Sequence, residues 1–199
     1  MTPLLIGAAV LAGTATVVAG GWSWSTQNVE TPDYEAVLSD GEFELRQYPN
    51  LVLASYEASG TRGEATRRSF TPLANYIFAK EREGEKIAMT APVTQAPSDD
   101  RWTVSFIMPS GMQLSDLPAP ASAAIKLHDQ PARKMAAIRF SGSWSDEIFE
   151  DASRRLMSWA EEQGLEITGP VEFAYYNDPF TPPFLRRNEV MVPVNRAAQ

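Results

Sequence analysis

The sequence predicts an α+β domain in which one curved antiparallel sheet or barrel carries two helices on its outer side. Short segments with alternating apolar and polar residues, typical of strands, are interrupted by two longer segments whose apolar residues recur at helical spacing. The first half of the chain shows strands, one helix and two strands, and the second half returns to this order without a repeat of individual residues. Neither half alone buries both faces of its sheet, whereas joining the two halves buries them.

The length and composition are those of an ordinary globular chain. It has 199 residues, of which 44% are hydrophobic and 21% charged, enough for one domain with a real core. The net charge of −8 leaves no basic surplus to displace counterions, so no nucleic acid partner is expected. Cysteine is absent and His128 is the single histidine, which excludes thiolate and multi-histidine metal sites. The polar neighbours of His128 at a strand end indicate a solvated side chain.

The amino-terminal segment is expected to lie outside the folded domain. Residues 1–25 carry no charged side chain, and residues 4–21 are almost wholly apolar or small. As a helix rising about 1.5 Å per residue, this run is long enough to approach or just cross the hydrocarbon layer. Val17 and Ala19 fit signal-peptide cleavage after Ala19.

A membrane anchor is the alternative for the same segment, because Trp22 and Trp24 fit the interfacial belt of an uncleaved helix. We therefore expect a signal peptide or membrane anchor over residues 1–25 and a folded domain over residues 26–199. The protein is expected to be exported or membrane-anchored, in the periplasm or at the cell surface. Any membrane contact is assigned to the amino-terminal segment.

Alternation of side chains predicts the strands in order along the chain. They are residues 34–38, 43–48, 51–58, 86–93, 102–108, 124–128, 135–140, 171–176 and 188–194. Between two of them, residues 109–120 contain three prolines and predict a surface loop.

Two segments predict amphipathic helices. The first covers residues 64–80, and Pro72 inside it is expected to kink the helix or to mark a later start. The second covers residues 146–163, with Ser145 as a good N-cap and Gly164 after its end. The apolar face of the second helix consists of Ile148, Phe149, Ala152, Leu156, Trp159 and Ala160.

The predicted strand over residues 86–93 is unusual. Ile87 and Met89 alternate with small residues, and the pattern stops at Pro92, which cannot donate a hydrogen bond to a sheet. A short strand with small side chains and a proline at its end is typical of a cavity wall, although an ordinary core strand has the same pattern.

Three motifs carry a resemblance to a known family. The octet Lys86-Ile87-Ala88-Met89-Thr90-Ala91-Pro92-Val93 resembles one signature of the SOUL haem-binding protein family, and Arg186-Arg187-Asn188-Glu189-Val190 resembles the other. Phe43-Glu44-Leu45-Arg46-Gln47-Tyr48-Pro49 is a weaker third match. The motifs keep the order of the family and span roughly residues 32–195. The resemblance implies a distorted antiparallel barrel of about eight strands in two pseudo-repeated halves, flanked by two helices.

The resemblance also implies a ligand and a site. The family binds haem and other tetrapyrroles in a hydrophobic groove beside the first helix, with a basic residue at its edge. One branch of the family has a proposed histidine ligand where this chain has Gln47, a poor iron ligand. The expected function is therefore low-affinity haem or tetrapyrrole binding, mainly by packing, with no histidine ligand and no catalysis. The matching site residues are Arg67 at the edge, Phe70, Leu73, Ala74 and Ile77 on the floor, and Met89 opposite.

Two other functions stay open at this stage. Glu189 alternates along the last strand, so it points either to solvent or into the barrel, where burial raises its pKa unless Arg187 or Arg46 pairs with it. A small-molecule hydrolase or effector-binding barrel would use Glu189 as a general base beside Tyr48, Tyr175 or Tyr176. A salt bridge closing the last strand is the structural alternative. The other possibility is a membrane-tethered partner module without a small ligand; the oligomeric state stays open.

Overall fold

The computed structural model describes residues 29–196, which form one antiparallel sheet of ten strands and two α-helices. The expected signal peptide or membrane anchor lies outside the described residues. Within residues 29–196, no helix is long and apolar enough to cross a membrane. The elements are β1 (Glu35–Asp40), β2 (Phe43–Tyr48), β3 (Leu51–Ala58), α1 (Arg62–Ile77), β4 (Val93–Ser98), β5 (Arg101–Ile107), β6 (Ile125–Gln130), β7 (Arg133–Phe140), α2 (Asp146–Glu162), β8 (Leu165–Ile167), β9 (Glu172–Tyr175) and β10 (Asn188–Arg196).

The strand order confirms that the chain is built from two similar halves. The sheet runs β1-β2-β7-β10-β9-β4-β5-β3-β6, and β8 pairs separately with β10. On one side of the β4–β9 pair the order is β4-β5-β3-β6, and on the other side it is β9-β10-β7-β2. One strand of each half also pairs with the other half, because β2 pairs with β7 and β6 pairs with β3. The sheet is curled rather than closed, with β1 and β6 at its edges.

Both helices cover the outer, convex face of the sheet. Alternate residues of a strand point to opposite faces, so each central strand supplies one set of side chains to a helix and another to the concave face. Leu73 and Ile77 of α1 pack on one apolar cluster, and Phe149 and Leu156 of α2 pack on another. A third cluster, which includes Tyr48, Met135, Tyr176 and Met191, lies on the concave face.

The two helices are capped differently at their amino-terminal ends. Thr61 precedes α1 and forms a capping box with Glu64, so the helix begins earlier than the apolar pattern predicts and continues through Pro72. Ser145 occupies the N-cap of α2 as predicted, but its side chain makes no capping hydrogen bond.

The predicted strand over residues 86–93 is wrong. Only Thr90 forms a single bridge, to Glu30, and β4 starts at Val93. The backbone nitrogens of Ile87 and Ala91 donate to the carbonyl oxygens of Ile77 and Glu30, so no neighbouring strand receives them. Burial alternates only over the first four residues, where Ile87 is buried and Met89 half-buried between the exposed Lys86 and Ala88, whereas residues 90–93 are all buried. The alternation therefore did not indicate a paired strand.

Two short strands, β4 and β8, were not predicted. β4 contains Pro97, a residue that disfavours a central strand, and Pro97 lies beyond the three residues of β4 that pair with β9. β8 has only three residues and pairs with the end of β10. The other predicted strands are confirmed with small shifts at their ends.

A substitution under each helix should destabilise the whole fold. Leu73→Ala and Leu156→Ala each remove a fully buried side chain and should lower the free energy of unfolding by about 2–5 kcal/mol. Because strands from the two halves pair with each other, both variants should unfold in a single transition, measured by calorimetry of the full-length protein. Two separate transitions, with each variant shifting only one, would contradict a single cooperative unit.

Candidate functional site

One flank of α1 carries the two predicted site residues that are exposed. At about 100° per residue, Arg67 lies ~60° from Phe70 around the helix, whereas Arg68 lies ~160° from Phe70. Arg67 is exposed, and the Phe70 ring is 44% exposed although one side of it contacts Phe106, with 5.4 Å between ring centroids. This flank therefore offers an aromatic face and a guanidinium side by side.

The structure places the other four predicted site residues in or against the core. Leu73, Ala74 and Ile77 belong to the buried cluster between α1 and the sheet, where protein side chains already cover them. Met89 is half-buried and packs against the same cluster. These four side chains lie between α1 and the sheet, beneath the flank. Of the six predicted residues, only Arg67 and Phe70 are exposed to solvent.

A buried arginine fixes the start of α1. The Arg62 guanidinium donates to Asp146 Oδ1 at 2.8 and 2.6 Å and to the Tyr175 hydroxyl at 2.5 Å. It also donates to the Trp144 carbonyl oxygen at 3.2 Å and stacks over the Phe149 ring at 4.4 Å. The start of α1 is thereby tied to the start of α2 and to β9.

The loop between β9 and β10, residues 177–187, exposes apolar side chains near that junction. Phe180 is 91% exposed, Phe184 75% and Leu185 64%. The loop is held by the Gly142 nitrogen, which donates to the Pro183 carbonyl oxygen at 2.9 Å. Three large apolar side chains in one exposed loop are more than scattered surface residues and indicate a contact surface.

Arg186 connects this loop to the start of α1. Its guanidinium lies 4.3 Å from the centre of the Trp144 ring, and the Trp144 carbonyl oxygen accepts a hydrogen bond from Arg62. The end of the loop at Arg186 is therefore linked through Trp144 and Arg62 to the amino-terminal end of α1, about two turns before Phe70.

The opposite, concave face holds a buried ionic cluster of Glu189, Arg46, Arg187 and Tyr176. The Glu189 carboxylate accepts hydrogen bonds from Arg46 at 2.6 and 3.1 Å, from Arg187 at 2.8 and 3.0 Å, and from the Tyr176 hydroxyl at 2.9 Å. Glu189 is 0% exposed and Arg46 2%. The Arg187 guanidinium also lies 3.7 Å from the centre of the Tyr176 ring. The carboxylate thus has partners for both of its oxygens.

The electrostatics of the ionic cluster follow from these contacts. Burial raises the pKa of Glu189, but the hydrogen bonds and charges of Arg46 and Arg187 outweigh it and hold that pKa below its ordinary value. Burial also raises the pKa of Tyr48 beside Arg46 to about 12. The pairing predicted for an inward Glu189 is therefore present. An ionised carboxylate with five donors is poorly placed to accept a proton as a general base.

The concave face also contains a cleft that none of the predicted site residues lines. Its volume is about 250 Å³, below the ~300–1,000 Å³ of ordinary ligand pockets. His128 lies in its wall, half-buried, with Nε2 2.9 Å from the Ser55 hydroxyl oxygen. The expectation of a solvated histidine is therefore wrong, because its neighbour Leu127 packs toward α1 and turns His128 toward the concave face.

The side chains of residues 29–196 do not form a metal site of their own, because no three His, Asp or Glu residues among them come together. The α1 flank instead fits a flat apolar ring with acidic groups, since an exposed phenyl ring and a guanidinium lie side by side there. The residues that sequence analysis missed are those of the exposed loop. Their signal was three large apolar residues among prolines, between Asp178 and Arg186.

The amino-acid sequence is similar to known proteins over most of its length. A family model described as "SOUL heme-binding protein" matches residues 29–193. Heme-binding protein 2 of Homo sapiens is 30% identical over 168 residues, which cover 78% of this chain and 82% of that protein. Heme-binding protein 1 of Bos taurus is 30% identical over 138 residues, or 64% of this chain and 69% of that protein.

Solved structures share the fold at low sequence identity. The C-terminal domain of EcmrR superposes with a TM-score of 0.58 at 14% identity, covering 82% of this chain and 98% of that domain. A hydrolase from Listeria innocua superposes with a TM-score of 0.56 at 15% identity, covering 80% of this chain and 94% of that one. At such identities the likeness concerns the fold alone.

Removing the buried carboxylate should be costly. Glu189→Gln leaves Arg46 and Arg187 without a compensating charge and should lower the free energy of unfolding by about 3–5 kcal/mol at pH 7, measured by urea unfolding. Because the folded pKa of Glu189 lies below its ordinary 4.5, its stabilisation is complete above that value and is lost as the pH falls through the folded pKa. The variant should therefore lose less stability on acidification than the parent.

Glu166→Gln, at an exposed position of β8, is the control. Equal stability of the two variants at pH 7 would refute the structural role of Glu189.

Proposed function

The chain belongs to the SOUL heme-binding protein family, and on that premise we propose that it binds haem or a related tetrapyrrole without performing chemistry on it. The relatives named above support haem binding at the level of the family.

We assign the ring to the flank of α1 that carries Arg67 and Phe70, with the loop of residues 177–187 as the second wall. The supporting observation is the exposure of four large apolar side chains, Phe70 in the middle of α1 and Phe180, Phe184 and Leu185 in the loop linked to its amino-terminal end. Covering such side chains with a flat apolar ligand is favourable, at about 25 cal/mol per Å² of apolar surface removed from water.

Charge selects the orientation of the ligand. A tetrapyrrole such as haem combines an apolar macrocycle with two carboxylates, and an exposed guanidinium is a suitable partner for a carboxylate. Arg67 lies next to Phe70 on the flank and is the assigned partner. An exposed ion pair of this kind is worth only about 0–1 kcal/mol, so it orients the ligand more than it holds it.

Iron ligation by histidine is not part of the proposal. His128, the single histidine of the sequence, lies on the concave face and is hydrogen-bonded to Ser55, on the other side of the sheet from α1. Gln47, at the position of the family's histidine, donates to the carbonyl oxygen of Tyr48. Haem iron would supply redox and ligand-binding chemistry in the bound state, while this chain supplies packing and one rim charge.

Low affinity follows from the same geometry. Leu73, Ala74 and Ile77 are already covered by the protein, so a ligand gains contact chiefly with Phe70 and the loop. A site that buries one side of a flat ring gains less apolar area than an enclosed pocket, which buries ~70–90% of its ligand.

We also propose that residues 1–25 carry the protein out of the cytoplasm, as a signal peptide or membrane anchor. The support is the charge-free apolar run of the sequence. The test is a fusion of the full-length chain to a reporter enzyme that is active only after export and disulfide formation. Activity should require residues 1–25, and a fusion beginning at residue 26 is the control. Equal activity of the two fusions, or inactivity of both, would reject the proposal.

If packing dominates, the iron should matter little. Iron-free protoporphyrin should bind the full-length protein within about tenfold of haemin, a difference of about 1.4 kcal/mol. Fluorescence quenching gives the first affinity and the Soret band the second. His128→Ala should leave both unchanged. A low-spin haemin spectrum that disappears in His128→Ala would contradict the proposed site.

The rim charge has a matched control on the same helix. Arg67→Ala should weaken haemin binding by about two- to fivefold, since an exposed charge contact contributes up to ~1 kcal/mol. Arg68→Ala makes the same charge change on the opposite flank, where its guanidinium donates to the Ser59 carbonyl oxygen, and should have no effect. Equal weakening by both variants would indicate a general charge effect instead of a contact by Arg67.

The loop can be tested without disturbing the core. Phe184→Ala removes a ring that is largely exposed, so it should leave the free energy of unfolding unchanged while weakening haemin binding about tenfold. Phe70→Ala should weaken binding as well, but it also removes the contact with Phe106, so its stability must be measured alongside. Unchanged haemin affinity in Phe184→Ala would exclude the loop from the site.

A further inference from the structure

The cleft on the concave face is polar at one end and apolar at the other. Hydroxyl groups of β3, β4 and β5 and the imidazole of β6 form the polar end. Leu53 and Ile107, with Met135 and Met191 beside the Arg133–Glu172 ion pair, form the more apolar end. Because these strands lie side by side in the curled sheet, the two ends face one common space. We call this space the concave cleft.

Three side chains at the polar end form a directed hydrogen-bond chain. Ser105 and Ser55 are opposite each other on β5 and β3, with 2.7 Å between their hydroxyl oxygens, and Ser55 Oγ is 2.9 Å from His128 Nε2. His128 Nδ1 faces the Asp129 carbonyl oxygen at 3.4 Å. A carbonyl oxygen can only accept, so this contact favours the proton on Nδ1 and makes Nε2 the acceptor.

The direction of the chain decides what it offers to a ligand. With Nε2 as acceptor, Ser55 donates to His128, and Ser105 in turn donates to Ser55. Both hydroxyl protons are then used, and the Ser105 oxygen keeps a free lone pair for an N–H or O–H donor. The two serines are buried, where a hydrogen bond gains strength from the low local dielectric.

The charge of the concave cleft is balanced. Arg133 and Glu172 in its wall form a two-bond ion pair, with Nη1 to Oε1 at 2.5 Å and Nη2 to Oε2 at 2.9 Å. A charged ligand would have to break this pair or remain unpaired. The volume of about 250 Å³ further limits the ligand to a small molecule, far smaller than a tetrapyrrole.

We propose that the concave cleft is a second binding site, for a small uncharged aromatic compound that carries one hydroxyl or N–H group. The donor binds Ser105 Oγ at the end of the chain through Ser55 to His128. The ring lies against Leu53, Ile107 and the two methionines, whose polarisable sulfurs suit an aromatic partner. The cleft lies across the sheet from the α1 flank, so the two sites can be filled at the same time.

Phenol is the probe, and anisole, which lacks the donor, is its matched control. Each is titrated into full-length ¹⁵N-labelled protein while amide shifts are recorded. Phenol should shift amides of β3, β5 and β6, and anisole should bind the same place about two- to tenfold more weakly, the worth of one hydrogen bond. Equal affinities, or phenol shifts confined to other elements, would overturn the proposal.

Two further arms separate the concave cleft from the haem site. Ser105→Ala should reduce the phenol affinity to that of anisole and leave anisole unaffected, whereas Ser153→Ala, on α2 outside the cleft, should change neither. Saturation with haemin should leave the phenol affinity unchanged. Loss of phenol binding in the presence of haemin would show a shared site and overturn the proposal, whatever the fate of the α1 site.

Discussion

The Glu189 carboxylate crosslinks the strands that close the concave face of the sheet. It lies on β10, accepts hydrogen bonds from Arg46 on β2, and accepts others from Arg187 and Tyr176 beside the loop that joins β9 to β10. A buried ion pair of this kind adds little net stability compared with apolar side chains of similar volume. Removing only one partner is strongly destabilising, because the other partner is then a buried charge without compensation. The ionic cluster therefore links β10 to β2 across β7, and links both to the two ends of the segment that joins β9 to β10.

The ionic cluster also decides where ligands can be held. It fills part of the concave face between β2, β9 and β10, and the concave cleft opens beside it, between β3, β5 and β6 on one side and Met135 and Met191 on the other. On the convex face, α1 and α2 cover the sheet with their apolar faces. The flank of α1 and the exposed loop therefore stay the proposed place for a large flat ligand, and the concave cleft the proposed place for a small one.

Sequence patterns predicted the helices and strands that bury a continuous row of apolar side chains. They did not predict elements that are defined by backbone hydrogen bonds to distant segments. The α2 stripe ending at Gly164 marked that helix almost to its last residue. The segment from Lys86 to Val93 alternates in burial only as far as Met89, and its backbone partners are Ile77 and Glu30, which no local pattern specifies. β8, with three residues, is too short to show a period.

The candidate site was predictable only in part for a similar reason. Arg67 and Phe70 share a flank, as their three-residue spacing requires, but the same helical spacing cannot distinguish a groove floor from a core, and Leu73 and Ile77 proved to be core. The position of His128 depends on the pairing of β6 with β3, a contact between distant segments. Glu189 was correctly limited to two outcomes, and its pairing with Arg46 needed the fold to decide.

The most direct test of the haem proposal is amide-shift mapping of the full-length protein with gallium protoporphyrin, a diamagnetic analogue of haemin. We predict that the largest shifts fall on the α1 flank around Arg67 and Phe70 and on the loop of residues 177–187, with at most smaller shifts at Ser55, Ser105 and His128 in the concave cleft. Shifts centred on Ser55, Ser105 and His128, with an unperturbed α1, would contradict the account.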